Sequence, residues 1–284
     1  MCRLSCVPHE ILHTAQCDLG DTQGLTVEEA KLPIFQTIKA SAADVCRIIV
    51  ELPLHCLAML VIAALNSVMQ QGLLNRIAED GSTFEINLYV IICSLPILIV
   101  SAPIFVAFHR FIIVGDKMSF SDIWGGRVLV ITYCVVSLCV SIVNCLGSLL
   151  RDVSGHQLDS PYAWMSLIVG LVFSVSFIVF TIRISLVYPA IAVDRDDVSL
   201  RWSLRNTKGM FWRVSANCII SISIVLPFVV LERLASGFGF GILSIPILTL
   251  SVFFWVIIYT ANLSEIYLWR SRKGFVDPDG YVCK

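Results

Sequence analysis

The sequence predicts an all-α membrane protein, a bundle of six transmembrane helices in three hairpins with short interfacial helices. The chain has 284 residues, of which 57% are hydrophobic and only 14% are charged. Its mean hydropathy is +0.84, whereas about a quarter of the residues in a typical soluble domain are charged. Six apolar stretches approach the roughly 20 residues that a helix needs to cross a bilayer. They are continuously apolar rather than alternating, which favours helices over a barrel.

The distribution of basic residues predicts the orientation of these spans. The spans are expected at Leu52–Val68, Ile86–Phe108, Val128–Leu150, Ala163–Ile182, Val214–Leu231 and Phe238–Leu263. Of the twenty Lys and Arg residues, only Arg76, Arg151 and Arg233 fall in the first, third and fifth loops. Because cytoplasmic loops are enriched in Lys and Arg, both termini are predicted to be cytoplasmic, in the cell (inner) membrane. The net charge of −1 gives no reason to expect a nucleic-acid partner.

The chain divides into a predicted flexible N-terminal arm at 1–31, a six-helix transmembrane domain at 32–268 and a cytoplasmic tail at 269–284. Five metal-ligand types in the arm have helical spacing: Cys2, Cys6, His9, His13 and Cys17. Pro8 interrupts a helix there, and the spacing fits no usual zinc finger, so no metal or cofactor is predicted. After Pro33, apolar residues at helical spacing predict an interfacial helix that leads into the first span.

Three ionisable residues stand at the ends of predicted spans and are candidate intramembrane polar sites. Glu51 and His55 are four residues apart, which would place them on one helical face. Placing a charged group in the hydrocarbon of a bilayer is energetically unfavourable, so an ionisable residue within a span suggests a functional role. The simpler interpretation is that Glu51 lies at headgroup level and pairs with Arg47. Arg183, followed by another apolar run, is predicted either to extend to the interface or to lie against a partner.

Further residues of note lie within the predicted spans or shortly after them. Tyr188-Pro189 is expected to break the helix that follows the fourth span. Four asparagines are candidates for hydrogen bonds between helices: Asn66, Asn144, Asn217 and Asn262.

The fourth loop carries the clearest local pattern. On a helix over Val198–Lys208, Arg201, Arg205 and Lys208 fall within one narrow arc with apolar residues on both sides. Ser199, Asp196 and the equivalent Ser119 and Asp116 of the second loop are capping residues. The opposite face holds Ser199, Ser203, Asn206 and Thr207 and is expected to face water. The basic residues are therefore predicted to contact headgroups of anionic inner-leaflet lipids. A solvated positive loop is the alternative.

Two segments resemble a known group of proteins. The first is Arg183-Ile-Ser-Leu-Val-Tyr-Pro-Ala with the downstream Ser199-Leu-Arg-Trp-Ser-Leu and Lys208-Gly-Met-Phe-Trp-Arg213, and the second is Ala107-Phe-His-Arg-Phe-Ile-Ile-Val-Gly-Asp116. They resemble uncharacterised bacterial six-helix membrane proteins, which are similar to the membrane domain attached to some glycerophosphoryl diester phosphodiesterases. The resemblance implies a bacterial cytoplasmic membrane protein. It transfers no catalytic residue, because the catalytic domain of those enzymes is absent here.

The sequence favours a non-enzymatic role. It contains no His-Glu-x-x-His, Gly-x-Ser-x-Gly or phosphate-binding-loop pattern. We expect a membrane protein active in envelope organisation, lipid handling or as a partner of a membrane complex or a second copy of itself. The alternative is a transporter or permease subunit, although the fourth loop lacks the Glu-Ala-Ala-x-x-x-Gly pattern of many importer permeases. An intramembrane enzyme is a third hypothesis that the few histidines do not favour.

Overall fold

The computed structural model of the chain describes a helical fold. The residues it describes are 33–80, 83–119, 121–122, 128–139, 141, 163–195, 199–208, 210–238, 241–272, 275–276 and 282–283. The predicted N-terminal arm with its cysteines and histidines lies outside the described residues, as do Asn144 and the end of the third predicted span.

Helices account for nearly all of the described residues. They are α1 Ile34–Glu51, α2 Pro53–Asp80, α3 Thr83–Val114, α4 Val128–Cys139, α5 Ala163–Ile184, α6 Val187–Ala192, α7 Leu200–Asn206, α8 Phe211–Gly237 and α9 Gly241–Arg272. Two short strands in the predicted tail, β1 Phe275–Val276 and β2 Val282–Cys283, pair in antiparallel fashion.

Several helices are suited to crossing a membrane. Four segments are long and apolar enough by themselves: Pro96–Val114, Leu171–Ala192, Phe211–Ala235 and Leu243–Arg272. Helix α1 and the part of α2 up to Met69 are long and apolar enough only when taken together, and they would then form a fifth candidate span. Helix α4 is apolar but shorter over its described residues. The chain is therefore a multi-pass α-helical membrane protein with four or five candidate spans in its described part, and six spans stay a prediction.

The first two helices meet at a sharp bend. Helix α1 ends at Glu51, α2 begins at Pro53, and their axes are 100° apart. The proline has no N–H to continue the α1 hydrogen-bond ladder and disfavours a helical residue before it, so the chain turns at Leu52. Glu51 and His55 therefore do not share one continuous helical face, which corrects the expectation from their spacing. The bend thus separates α1 from α2 at the point where the sequence predicts that an interfacial helix leads into the first span.

Helix α9 forms the centre of the bundle. It packs against α1, α2, α3, α6 and α8. Ile257 and Ala261 belong to an apolar cluster with α1, α2 and α3, while Ile266 belongs to a second cluster around Trp202 of α7. These residues are fully or almost fully buried. Helix α9 continues past Leu263, the predicted end of the sixth span, to Arg272.

The outer faces of the helices remain apolar. Leu57 on α2, Leu171 on α5 and Ile219 and Leu226 on α8 are each more than half exposed. Large aliphatic side chains exposed in this number are unfavourable in water but are matched to lipid tails. The four prolines inside the helices Thr83–Val114, Phe211–Gly237 and Gly241–Arg272 are also tolerated more readily in membrane helices.

Candidate functional site

Helix α7 begins where the sequence predicts a cap. The hydroxyl of Ser199 accepts a 3.1 Å hydrogen bond from the backbone N–H of Trp202. The helix spans Leu200–Asn206, so it is shorter than the predicted Val198–Lys208. It ends because Thr207 and Lys208 form a turn, in which the Lys208 N–H bonds the carbonyl of Arg205.

The basic side chains of this segment lie on its outer side. Arg201 and Lys208 are exposed and Arg205 is half-buried. The indole of Trp202 is buried on the opposite side, with the guanidinium of Arg195 5.2 Å from its ring centre. The three residues predicted to contact lipid headgroups therefore remain accessible at the surface of the bundle.

Most of the predicted polar face of α7 does not face water, which corrects the sequence-based expectation, while Ser199 at the start of the helix is exposed. Ser203, Asn206 and Thr207 are each fully buried. Their hydroxyl and amide groups make hydrogen bonds inside the protein rather than to solvent: the Asn206 side chain, for example, donates to the carbonyl of Trp202 at 3.0 Å. The helical periodicity predicted that this face would be exposed to water. It contains no information on the backbone carbonyls to which these side chains donate hydrogen bonds.

One of these carbonyl groups belongs to the end of α5. The carbonyl oxygen of Arg183 accepts hydrogen bonds from the hydroxyls of Ser203, at 2.8 Å, and Thr207, at 3.1 Å. In return, the guanidinium Nη2 of Arg183 donates to the carbonyl of Leu204 at 2.6 Å. The last carbonyls of a helix lack partners within that helix, so α7 acts as a cap for α5. Arg183 thus lies against a partner within its own chain.

The helix breaks immediately after this contact. Helix α5 ends at Ile184, Ser185 and Leu186 form a turn, and α6 starts at Val187. The break predicted at Tyr188-Pro189 is therefore present but lies slightly earlier, because the proline at 189 removes the N–H that would bond the carbonyl of Ser185.

A large apolar groove lies between α5 and α8. Its volume is about 700 Å³, within the range of roughly 300–1,000 Å³ that is typical of small-molecule sites. The apolar side chains that line it include Val175, Phe177, Ile182, Phe211, Ile219 and Tyr259. Trp212, also in the lining, is 80% exposed, and Ile219 is 66% exposed. These exposures place one side of the groove at the lipid-facing surface of the bundle.

One end of the groove adjoins the basic helix. Ile182 and Ser185 line the groove, and Arg183, which lies between them, is the residue clamped to α7. Arg213 follows the groove residue Trp212 directly. Exposed tryptophan and basic side chains at one level are typical of the membrane–water interface. The sequence identified the basic residues but missed the groove, because a cavity between helices leaves no periodic signal.

The Glu51 pair predicted from sequence is present and includes a further partner. The guanidinium Nε of Arg47 lies 3.7 Å from Glu51, and the ammonium of Lys117, from the loop after α3, lies 2.8 Å from it. The hydrogen bond from Lys117 is the main cause that lowers the pKa of Glu51 below its ordinary value. Glu51 thus fastens the loop after α3 to the bend between α1 and α2. His55 is buried on α2.

The loop after α3 has its own local order. Gly115, with a φ of +79°, ends α3, and its N–H bonds the carbonyl of Phe111 at 3.0 Å. Arg110 then pairs with Asp116 at 3.1 Å. Ser119 acts as the predicted cap: its hydroxyl accepts from the N–H of Asp122 and donates to the Asp122 carboxylate, which lowers the pKa of that carboxyl.

Two of the predicted asparagine contacts are not made. Asn217 on α8 and Asn262 on α9 are completely buried, yet neither polar atom of either amide has a hydrogen-bond partner. The expectation that they bond between helices is therefore wrong for this pair. Such groups are rare in protein interiors and call for an explanation.

Comparisons with known proteins add no assignment. Among the described residues no group of three or more His, Cys, Asp or Glu side chains could hold a metal ion. The chain matches no protein-family model, no curated protein and no solved structure. The geometry of the chain defines a multi-pass membrane protein with a lipid-facing apolar groove beside a basic helix.

Proposed function

We propose that this chain is a non-enzymatic integral membrane protein of the cell (inner) membrane that binds an anionic phospholipid, as part of lipid handling. An acyl chain would occupy the groove between α5 and α8, and the headgroup would lie near Arg201, Arg205 and Lys208. The observation that carries the proposal is the groove itself, with its apolar lining, its lipid-facing side and its end beside α7. The resemblance to bacterial six-helix membrane proteins is compatible with this role.

The two parts of the site suit the two parts of a phospholipid. Each buried methylene contributes about 0.8 kcal/mol when it moves from water into an apolar site. Since lipid tails already surround the protein, the groove provides mainly shape-dependent packing. Selectivity for the headgroup would come from the basic residues, each worth on the order of 1 kcal/mol beside an anionic surface.

The proposal is tested by native mass spectrometry of the protein extracted in mild detergent. We expect an anionic phospholipid to remain bound to the wild type. Ser215→Phe, which fills the groove next to Phe211, should lower the retained lipid severalfold, because the added ring occupies the space in which the acyl chain packs.

The matched control is Ser223→Phe, the same change on the same helix. Ser223 is exposed, and its hydroxyl bonds only the carbonyl of Ile220 in its own helix among the contacts described. It should retain lipid like the wild type. Equal retention by wild type, Ser215→Phe and Ser223→Phe would contradict the proposed groove. Retention of zwitterionic and anionic lipids in the proportions of the bulk membrane would contradict the headgroup selectivity.

A further inference from the structure

One hydroxyl group in the wall of the groove between α5 and α8 has no hydrogen-bond partner. Thr181 of α5 contributes to the lining, and its Oγ1 atom is buried without a hydrogen bond to any described residue. A buried hydroxyl that lacks a partner is energetically unfavourable and rare in proteins. The apolar groove therefore contains a polar group whose bond a ligand can complete.

Other helical threonines of the chain show which bond Thr181 does not make. Thr132, Thr249 and Thr260 each donate to the backbone carbonyl four residues earlier, at 2.8, 2.8 and 2.9 Å. The corresponding acceptor for Thr181 is the carbonyl of Phe177, and this bond is not formed. A threonine in a helix can adopt either of two rotamers, so its hydroxyl does not have to bond its own backbone. The hydroxyl of Thr181 is thus available to a group that enters the groove.

The two serines of the groove lining have already used their donors. The hydroxyls of Ser185 and Ser215 donate to backbone carbonyls three and four residues earlier, at 2.7 and 2.8 Å. A hydroxyl has only one O–H to donate, so a ligand that accepts hydrogen bonds gains no donor from these serines. The lining also contains the indole of Trp212 and the hydroxyl of Tyr259, which are the alternative donors to Thr181.

The position of Thr181 along α5 indicates which part of a lipid it would meet. Thr181 precedes Arg183, the residue bonded to α7, by two residues, which is about 3 Å along a helix. It therefore lies slightly further into the candidate span than the contact with the basic helix. In a phospholipid with its headgroup at α7 and an acyl chain in the groove, the ester group that begins the chain lies at this level. An ester carbonyl accepts hydrogen bonds, whereas the hydrocarbon beyond it cannot.

We propose that Thr181 donates a hydrogen bond to an ester carbonyl of the bound phospholipid, so that the groove selects ester-linked over ether-linked lipids. The inference rests on the proposed lipid-binding function and identifies a chemical group that the groove recognises in its ligand. An ether-linked lipid with the same headgroup and chains keeps the charge and the apolar contacts but has no carbonyl. It therefore leaves the Thr181 hydroxyl unpaired, and a site with an unpaired buried donor discriminates against such an analogue.

Competition between two matched lipids tests the proposal. The full chain, delipidated in mild detergent, is given an equimolar mixture of dipalmitoyl phosphatidylglycerol and its ether-linked dihexadecyl analogue, and bound lipid is measured by native mass spectrometry. The wild type should retain the ester-linked lipid about two- to tenfold more, which is the effect of one hydrogen bond. Thr181→Val keeps the shape of the side chain without its donor, so it should bind both lipids about equally. Thr181→Ser, which retains a hydroxyl, should keep the preference.

The matched control is Thr132→Val, the same change on the exposed side of α4. Thr132 does not contribute to the groove lining, and its hydroxyl bonds the carbonyl of Val128, so the wild-type preference should remain. Equal retention of the two lipids by the wild type would overturn this inference and leave the lipid-binding function standing, whereas retention of neither lipid would overturn both. A preference that survives in Thr181→Val but is lost in Tyr259→Phe would contradict the assignment of the donor to Thr181.

Infrared spectroscopy of the ester-linked lipid bound to the full chain gives a second readout that reports on the bond itself. An ester carbonyl that accepts a hydrogen bond absorbs at a lower frequency than one that does not. The bound lipid should therefore show a low-frequency component of its carbonyl band with the wild type, Thr181→Ser and Thr132→Val, and lose it with Thr181→Val. Identical carbonyl bands with the wild type and Thr181→Val would overturn the proposed hydrogen bond.

Discussion

The hydroxyl of Ser203 donates a 2.8 Å hydrogen bond to the backbone carbonyl of Arg183, which is twenty residues earlier in the chain. This contact turns the polar face of α7 inward, against the end of α5. It consequently turns Arg201 and Lys208 outward. This hydrogen bond anchors α7 to a candidate membrane span and thereby fixes the direction in which the basic side chains of α7 point.

Removing the polar face of α7 should loosen this helix. Thr207 bonds the same carbonyl as Ser203, so the single variant Ser203→Val leaves one donor in place and should cost little. The double variant Ser203→Val/Thr207→Val leaves the Arg183 carbonyl without a donor, which costs about 1–3 kcal/mol. Thermal unfolding measures the loss, and hydrogen exchange of residues 199–208 measures the loosening.

The control for this prediction is Ser223→Val. Its hydroxyl bonds only a carbonyl of its own helix among the contacts described and faces outward, so both measurements should stay at wild-type values. If the double variant is as stable as Ser223→Val, the contact between α5 and α7 does not hold α7 in place.

Neutralising the basic face of α7 should reduce selectivity for anionic lipid. Replacing Arg201, Arg205 and Lys208 together with Gln removes three charges, each worth on the order of 1 kcal/mol at an anionic surface. We expect the preference for an anionic over a zwitterionic spin-labelled lipid to fall about a hundredfold at most. Arg233→Gln, at an exposed basic residue near the opposite end of α8, is the control and should change nothing. An unchanged preference in the triple variant would show that α7 does not contact headgroups.

The bend between α1 and α2 should depend on pH through Glu51. Its pKa is lowered, chiefly by the hydrogen bond from Lys117, so its contribution to stability is present above the ordinary carboxyl pKa. The contribution is lost as pH falls through the lowered pKa. Glu51→Gln should therefore show a smaller loss of stability on acidification than the wild type, as measured by thermal unfolding at several pH values.

Lys117→Gln offers the matched control for this pair. It should flatten the acid profile less than Glu51→Gln does, because Arg47 still lies 3.7 Å from Glu51, and combining it with Glu51→Gln should add nothing further. Additive effects of the two substitutions would mean that Glu51 and Lys117 act through different partners.

The predicted topology is open to direct labelling. Single cysteines introduced at positions 69–85 and 151–162, in a background without accessible native cysteines, should react with an impermeant reagent added outside intact cells. Cysteines introduced at 199–208 should react only after permeabilisation, because this loop is rich in basic residues. The reverse pattern would overturn the orientation with both termini cytoplasmic.

The sequence predicts those parts of the fold that depend on composition and on local rules. Long apolar stretches predict membrane helices, Ser199 predicts the start of α7, and Pro53 explains the bend at Leu52. The pair between Arg47 and Glu51 follows from a spacing of four residues. Each of these features is determined by residues close together in the chain, so the pattern contains the necessary information.

Features that depend on distant residues could not be predicted in this way. Ser203 appeared to face water because the carbonyl of Arg183 that accepts its bond belongs to another helix. The groove arises from the separation of α5 and α8, and the sequence of either helix alone contains no sign of it.

Photocrosslinking tests the proposed lipid site most directly. The protein is reconstituted in nanodiscs with an anionic phospholipid that carries a photoreactive group in its acyl chain, and crosslinked peptides are identified by mass spectrometry. We predict crosslinks concentrated on the groove residues Phe177 and Ile219, reduced by unlabelled anionic lipid and by Ser215→Phe but not by unlabelled zwitterionic lipid or by Ser223→Phe. Crosslinks spread equally over lipid-facing residues outside the groove, such as Leu57 of α2 and Trp255 of α9, would contradict the lipid-binding account.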